Sequence, residues 1–230
     1  MIEPRNTREC LINFCKDIED CHLTKDDISL LNKHRVEVKY HKGENICKQG
    51  AFATHLIYIK KGLTKSYLED DAKVQNICVN PSHCILGMQS ITSQDVFYHS
   101  VSALEEVDAC LFDMHIIQTI AKRNVGFTYS ILTKVNEAQV LLFERFFSLS
   151  MKQLNGKMAD ILICLADRVY NSDSFLMNLS RKDLAELTAM SNESATRVLK
   201  EFKDDGIIKL DGKSIIILDR NKLERLSKFG

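Results

Sequence analysis

The run LSRKDLAELTAMSNESATRVLKEFKDDGIIKLDGKSIIIL, residues 179–218, admits very few folds. Ser180 is a good helix N-cap, and Asp183 stands three residues on, where an acid answers the first free amides. Leu184 and Leu187 face one side of the short helix that this start predicts. Ala189-Met190 leaves only a tight connection before Ser191, a second N-cap. Ala195, Val198, Leu199 and Phe202 then fall at i, i+3, i+4 and i+7, one apolar stripe of a second helix. Asn192, Glu193, Thr196, Arg197 and Lys200 occupy a different arc. Gly206 ends that helix, as a C-terminal glycine commonly does. The apolar runs 207–210 and 213–218 flank Asp211-Gly212, a two-residue hairpin signal. Two capped helices, a tight turn and a hairpin describe a winged helix-turn-helix. Its second helix packs on one side and offers donors, acceptors and positive charge to a DNA major groove on the other. Lys213 and Ser214 at the wing tip are placed to reach a phosphate. A helical pair with a hairpin also serves as a protein-interaction module, but the polar arc favours DNA.

Composition constrains partners less than this segment does. The 230 residues carry 31 Lys and Arg against 31 Asp and Glu, a formal charge of zero. Residues 151–230 hold 14 basic against 12 acidic side chains, and residues 1–150 hold 17 against 19. DNA affinity therefore has to come from local placement of Arg181, Arg197, Lys200 and Lys213, not from a global field. No apolar run is long enough to span a bilayer, and no secretion signal is read, so no membrane partner and a cytoplasmic location are expected. Eight cysteines at irregular spacing do not suggest a disulfide framework in that setting.

The rest of the chain divides by texture. Residues 24–34 predict a short helix with Thr24 as N-cap and Asp27 at its third position. Short apolar or alternating runs follow at 36–40, 56–59, 64–68, 74–79, 99–104 and 109–112, punctuated by Gly43, Gly50, Gly62 and Gly87. They predict an antiparallel β-roll or barrel. A long helix is expected from about Phe127 to Leu149. Ile131, Val135, Ala138, Leu142 and Leu149 form a seam suited to pairing with a second copy, with Arg145 in the missing place. Phe127, Leu132, Leu141, Phe143 and Phe146 are then expected to face the barrel. Residues 156–170 predict a further helix, with Gly156 near the hinge. The fold expected is α+β. Its parts are a sensory β-roll with an N-terminal helix (1–125), a dimerisation helix (126–150) and the winged helix-turn-helix (151–230).

This order of parts resembles the Crp/Fnr superfamily of bacterial transcription regulators, in a texture most like Bacteroidetes versions. The marks are Lys42-Gly43-Glu44, Gly50, Lys61-Gly62, Gly87, and Leu179-Ser180-Arg181 through Arg197-Val198-Leu199-Lys200. The resemblance implies a homodimer that binds double-stranded DNA, has RNA polymerase as a further partner, and is not an enzyme. It implies that Glu193 and Arg197 read a G·C pair, the acid accepting from cytosine and the guanidinium donating to guanine. Asn192 and Thr196 match positions that vary base preference. Arg181, Ser191, Ser194 and Lys200 match positions that hold phosphates.

The resemblance also frames the effector. Members that bind cyclic AMP hold the ribose with a Glu and the cyclic phosphate with an Arg. Here the matching stretches are Gly87-Met88-Gln89 and His99-Ser100, with Met88 for the acid and His99 for the arginine. Losing the guanidinium forfeits a bidentate contact of about 2–5 kcal/mol, so cyclic AMP is disfavoured. A second reading is an iron-sulfur cluster on Cys10, Cys15, Cys21 and Cys110. The four-residue gap between Cys10 and Cys15 departs from the two residues of the oxygen-sensing branch. Paired close-spaced zinc ligands are absent, and no histidine is singled out for haem. A cupin-like metalloenzyme built on His41, His83 and Glu44 is the remote alternative, and it lacks the His-x-His that such sites often use.

Overall fold

The computed structural model describes residues 23–71, 73–92 and 95–230. Contacts divide the described residues into two units, those up to residue 64 with 81–140, and residues 65–80 with 141–230.

The expected roll is built from the strands of the first unit together with the 65–80 segment of the second. Helix α1 (Lys25–Lys33) starts in a capping box between Thr24 and Asp27. The buried Asp27 carboxylate also receives Arg123 and, at 3.3 Å, Asn124 Nδ2. Strands β1 (Arg35–Tyr40), β2 (Asn45–Cys47), β3 (His55–Lys61), β4 (Thr64–Glu69), β5 (Val74–Asn80), β6 (Cys84–Leu86), β7 (Ser100–Ala103) and β8 (Val107–Asp113) form two four-stranded sheets. Their orders are β1-β8-β3-β6 and β2-β7-β4-β5. The six strand runs expected from the sequence all become strands. The three-residue strands β2 and β6 escape prediction because so short a run shows no alternation. Leu56, Tyr58, Ile59, Val101, Cys110 and Phe112 fill the core. Gly62 is required at its turn: its φ is +97°, and a Cβ there would lie 2.4 Å from the Glu106 carbonyl oxygen. Helix α2 (Met114–Arg123) is capped by Asp113, whose carboxylate accepts from the His115 and Ile116 amides.

Helix α3 (Val125–Met151) runs one or two residues past the expected span at each end. Its apolar faces depart from those expected near the roll, while Leu142 of the expected seam is exposed. Ile131 is buried in the roll core and Val135 packs against it, so the seam assigned to a second copy faces inward at that end. Leu132, Leu141, Phe143 and Phe146, expected against the barrel, are exposed. Only Phe127 is buried as expected. At 100° per residue, Tyr129, Leu132, Asn136, Val140, Phe143, Phe147 and Met151 lie on one straight stripe, opposite Ile131 and Val135. That stripe is exposed, with Tyr129 at 71%, Phe143 at 63% and Met151 at 70%. Arg145, the polar break in the expected seam, donates from Nε to the Ile77 carbonyl at 3.2 Å.

The second unit contains α4 (Leu154–Cys164), continued by a π-helical turn over Leu165–Val169. After it come β9 (Ser174–Leu176), α5 (Arg181–Thr188), α6 (Asn192–Asp204), β10 (Ile208–Asp211), β11 (Ser214–Ile217) and α7 (Arg220–Phe229). The sheet order is β10-β11-β9. Met158, Leu162, Leu184, Val198, Phe202, Ile207 and Leu223 are all buried. Strand β9 and helix α7 were not read from the sequence. Asp219 caps α7, and Arg220 ties it down through Asp167, Asp173 and Glu224. Gly156 lies within α4, and a Cβ there would sit 2.5 Å from the Gly230 carbonyl oxygen. The missing side chain lets α4 pack closely on the end of α7 at this point.

Candidate nucleic-acid interface

The interface is built on local signals. Helix α5 begins with the expected capping box: Ser180 Oγ accepts from the Asp183 amide at 3.1 Å, and Asp183 Oδ2 accepts from the Ser180 amide at 2.8 Å. Burial pulls the Asp183 carboxyl upward, but bonds from Lys65 and Ser180 outweigh it and hold the group below its ordinary value. The helix ends at Ala189, whose φ of +50° is left-handed. This conformation strains any residue with a Cβ, so Ala189→Gly is expected to raise stability by about 0.5–1 kcal/mol in denaturant titration.

Helix α6 starts at Ser191, whose Oγ accepts from the Ser194 amide at 3.2 Å. Ala195, Val198, Leu199 and Phe202 are buried, each at 1% exposure or less. Asn192, Glu193, Thr196, Arg197 and Lys200 are exposed on the other arc, and Ser194 is half-buried at its edge. Several of these groups already have partners within the helix. Thr196 Oγ1 donates to the Asn192 carbonyl at 2.8 Å, which leaves its methyl and lone pairs for a partner. Arg197 Nη1 lies 3.2 Å from Glu201 Oε1, one turn along. The Glu193 carboxyl is held low by its own backbone amide and the Ser191 hydroxyl. Its charge therefore sits at the helix N-terminus, where the dipole favours it.

The wing follows. Asp211 pairs with Ser214, so the two-residue loop is Gly212-Lys213, one residue later than expected. Gly212 takes a φ of +58°, and Lys213 is exposed at the tip. Arg181 differs from the other basic candidates: it is half-buried, and its Nη1 is buried without a hydrogen-bond partner.

The Arg-x-x-x-Glu spacing already offers Glu201 as an ion-pair partner of Arg197, and that pair forms. Sequence reasoning missed the link from β4 and β5 to α5 through Lys65, Gln75 and Asn76, because nothing local signals contacts more than 100 residues apart.

A family model for a Crp-like helix-turn-helix domain matches residues 156–226, and one for a cyclic nucleotide-binding domain matches residues 37–124. Electron transport regulator A of Shewanella oneidensis is 25% identical over 191 residues, covering 81% of this chain and 76% of that protein. The anaerobic regulatory protein of Bacillus subtilis is 24% identical over 204 residues, covering 86% of each. The structure of FixK2 from Bradyrhizobium japonicum matches with a TM-score of 0.77 at 18% identity, covering 84% of this chain and 96% of that one. The chain belongs to the Crp/Fnr family of transcription regulators.

In this Crp/Fnr protein the roll residues singled out for an effector are partly committed. Gly87, at a φ of +86°, opens a 3-10 turn over Met88–Ile91. A Cβ on Gly87 would lie 3.1 Å from the Phe97 ring. Met88 packs against the roll core, and Gln89 is half-exposed. Ser100 is fully buried, and its Oγ accepts from the Gln49 amide at 2.9 Å. Burial lowers the His99 pKa, which favours the neutral imidazole.

Of the cluster candidates, Cys110 is fully buried on β8, and Cys10, Cys15 and Cys21 lie outside the described residues. The cupin-like set does not converge on a metal. His41 donates its amide to Glu44 Oε2 at 2.8 Å, while His83 Nδ1 lies 2.7 Å from the Tyr58 hydroxyl. Among the described residues no group of three or more His, Cys, Asp or Glu is arranged to hold a metal ion. Among them, no helix is long and apolar enough to cross a membrane.

Proposed function

We propose that this regulator acts in the cytoplasm as a homodimer that lays two copies of α6 in successive major grooves. Glu193 and Arg197 read a G·C pair, and Asn192 and Thr196 set the neighbouring preference. Arg181, Ser191, Ser194, Lys200 and Lys213 hold phosphates. The observation that carries this reading is the division of α6 into a buried apolar face and an exposed arc that bears all five readers and holders at 192, 193, 196, 197 and 200. Arg pairs bidentately with guanine and Glu accepts from cytosine N4, so the chemistry suits the arc. The second copy is seated on the aromatic stripe of α3, since an exposed apolar row of this length is what a helical seam buries.

The domain organisation proposed is a sensory part over 1–125, the dimer helix over 126–150 and the reader over 151–230. The roll binds an effector other than cyclic AMP around Gly87, Met88, Gln89, His99 and Ser100. Met88 supplies no acceptor for a ribose and His99 no guanidinium for a cyclic phosphate. The effector shifts the dimer between two geometries by binding one of them better. RNA polymerase is the further partner, and the protein carries out no catalysis of its own. Selection of bound sites from random duplexes tests the reading. A two-fold symmetric sequence is expected, with half-sites about 10 base pairs apart, centre to centre. Recovery of unrelated sequences would overturn it.

A further inference from the structure

A polar clasp links the β4–β5 hairpin to α5. Lys65 Nζ lies 2.6 Å from Asp183 Oδ1 and 3.8 Å from Glu186 Oε2. Gln75 Nε2 donates to the Glu186 carbonyl, and Asn76 Nδ2 donates to the Asp183 carbonyl at 3.3 Å. One residue on, the Ile77 carbonyl accepts from Arg145 on α3.

The clasp is not an apolar contact. The one buried residue of β5 is Asn76, and Val74 beside it is exposed. Several polar atoms here are buried without a hydrogen-bond partner: Asn76 Oδ1, Glu186 Oε2 and Arg145 Nη2. Apolar burial is indifferent to direction, whereas hydrogen bonds fix it. The seating of α5 against the hairpin therefore depends on a few directional bonds, and Lys65 makes the charged ones.

Two consequences reach the reading helix. Helices α5 and α6 pack on each other, so a shift of α5 re-aims α6. Asp183 and Glu186 also put two carboxylates on α5, beside the turn where Arg181 is proposed to meet a phosphate. Unpaired, they would repel it.

We infer that Lys65, assisted by Gln75 and Asn76, is a positioning residue for DNA reading. It seats α5, and through α5 it sets the presentation of α6 while neutralising the two carboxylates. The inference rests on the DNA-reading proposal above.

The test uses the full-length chain and the duplex that the unsubstituted protein selects. Lys65→Glu is expected to weaken specific binding by about tenfold or more. Lys65→Arg is expected to stay within about threefold of the unsubstituted protein. Lys65→Met, which removes the charge without adding a carboxylate opposite Asp183, is expected to lose less than Lys65→Glu. Because Lys65 touches no phosphate, the slope of affinity against salt stays unchanged in all variants, where loss of a phosphate contact would make it shallower by about one. Hydrogen exchange at 181–188 is expected to quicken in Lys65→Glu and to keep its original rate in Lys65→Arg, without DNA present. Unchanged or tighter binding by Lys65→Glu, a shallower salt slope, or unchanged exchange across α5 would overturn the inference. If the unsubstituted chain selects no sequence, base reading fails instead, and the exchange comparison still decides the clasp.

Discussion

Replacing Phe143 with glutamate is expected to convert the protein into a folded monomer that has lost most of its DNA affinity. Phe143 sits mid-way along the exposed stripe of α3, flanked by Val140 and Phe147. Burying a phenylalanine there contributes about 1.5–3 kcal/mol per copy. A glutamate would instead bring two carboxylates together across the two-fold axis, away from water. A dimer that holds two half-sites at once gains about 10²–10⁴ in avidity, and a monomer forfeits that factor. Sedimentation velocity reads the mass, and titration of a two-half-site duplex reads the affinity. Ile131→Ala is the contrasting change on the opposite face. Ile131 is in the roll core, so its truncation is expected to cost about 2–5 kcal/mol of fold stability while the dimer persists. An intact dimer with glutamate at 143, or a monomer from Ile131→Ala at full stability, would return the seam to the face that the sequence suggested.

The other large effect lies beneath the reading helix. Phe202 is among the largest fully buried side chains and belongs to the inner face of α6. The chain after it runs straight into the wing, where the Ile207 amide donates to the Phe202 carbonyl at 2.9 Å. Phe202→Ala is expected to cost about 3–5 kcal/mol, from lost transfer free energy and the cavity left behind. That is a large part of what a small domain has. The C-terminal unit is expected to melt well below the roll, giving two transitions in calorimetry and no DNA binding above the first. A single transition at the original temperature would show that α6 is not held by this face.

How much was legible in the sequence follows the reach of each signal. Caps act over three residues, so Thr24, Ser180 and Ser191 and their helices were readable from the chain alone. The period of α6 gave both its buried and its exposed arc, because a single apolar stripe leaves no choice of face. Helix α3 carries two apolar stripes, and periodicity cannot say which one meets the core. In the fold Ile131 and Val135 meet the roll core, while the aromatic stripe is exposed, and so is Leu142 further along the aliphatic side. Strand β9 is three residues long, and α7 has four charged residues among its first six, so neither shows a stripe of length. The clasp at Lys65 joins positions more than 100 residues apart and has no sequence signature at all. The effector region was legible only as departures, Met88 and His99, from the residues that a cyclic nucleotide needs.

The central claim, that the outer arc of α6 reads bases, is tested most directly by comparing base preference at each position of the selected site between the unsubstituted protein and Arg197→Ala. The account predicts a loss of about 1–3 kcal/mol, concentrated on one base pair per half-site, with preferences elsewhere kept. An equal loss on every sequence, together with a shallower salt dependence, would mean that Arg197 only holds phosphate and would contradict the account.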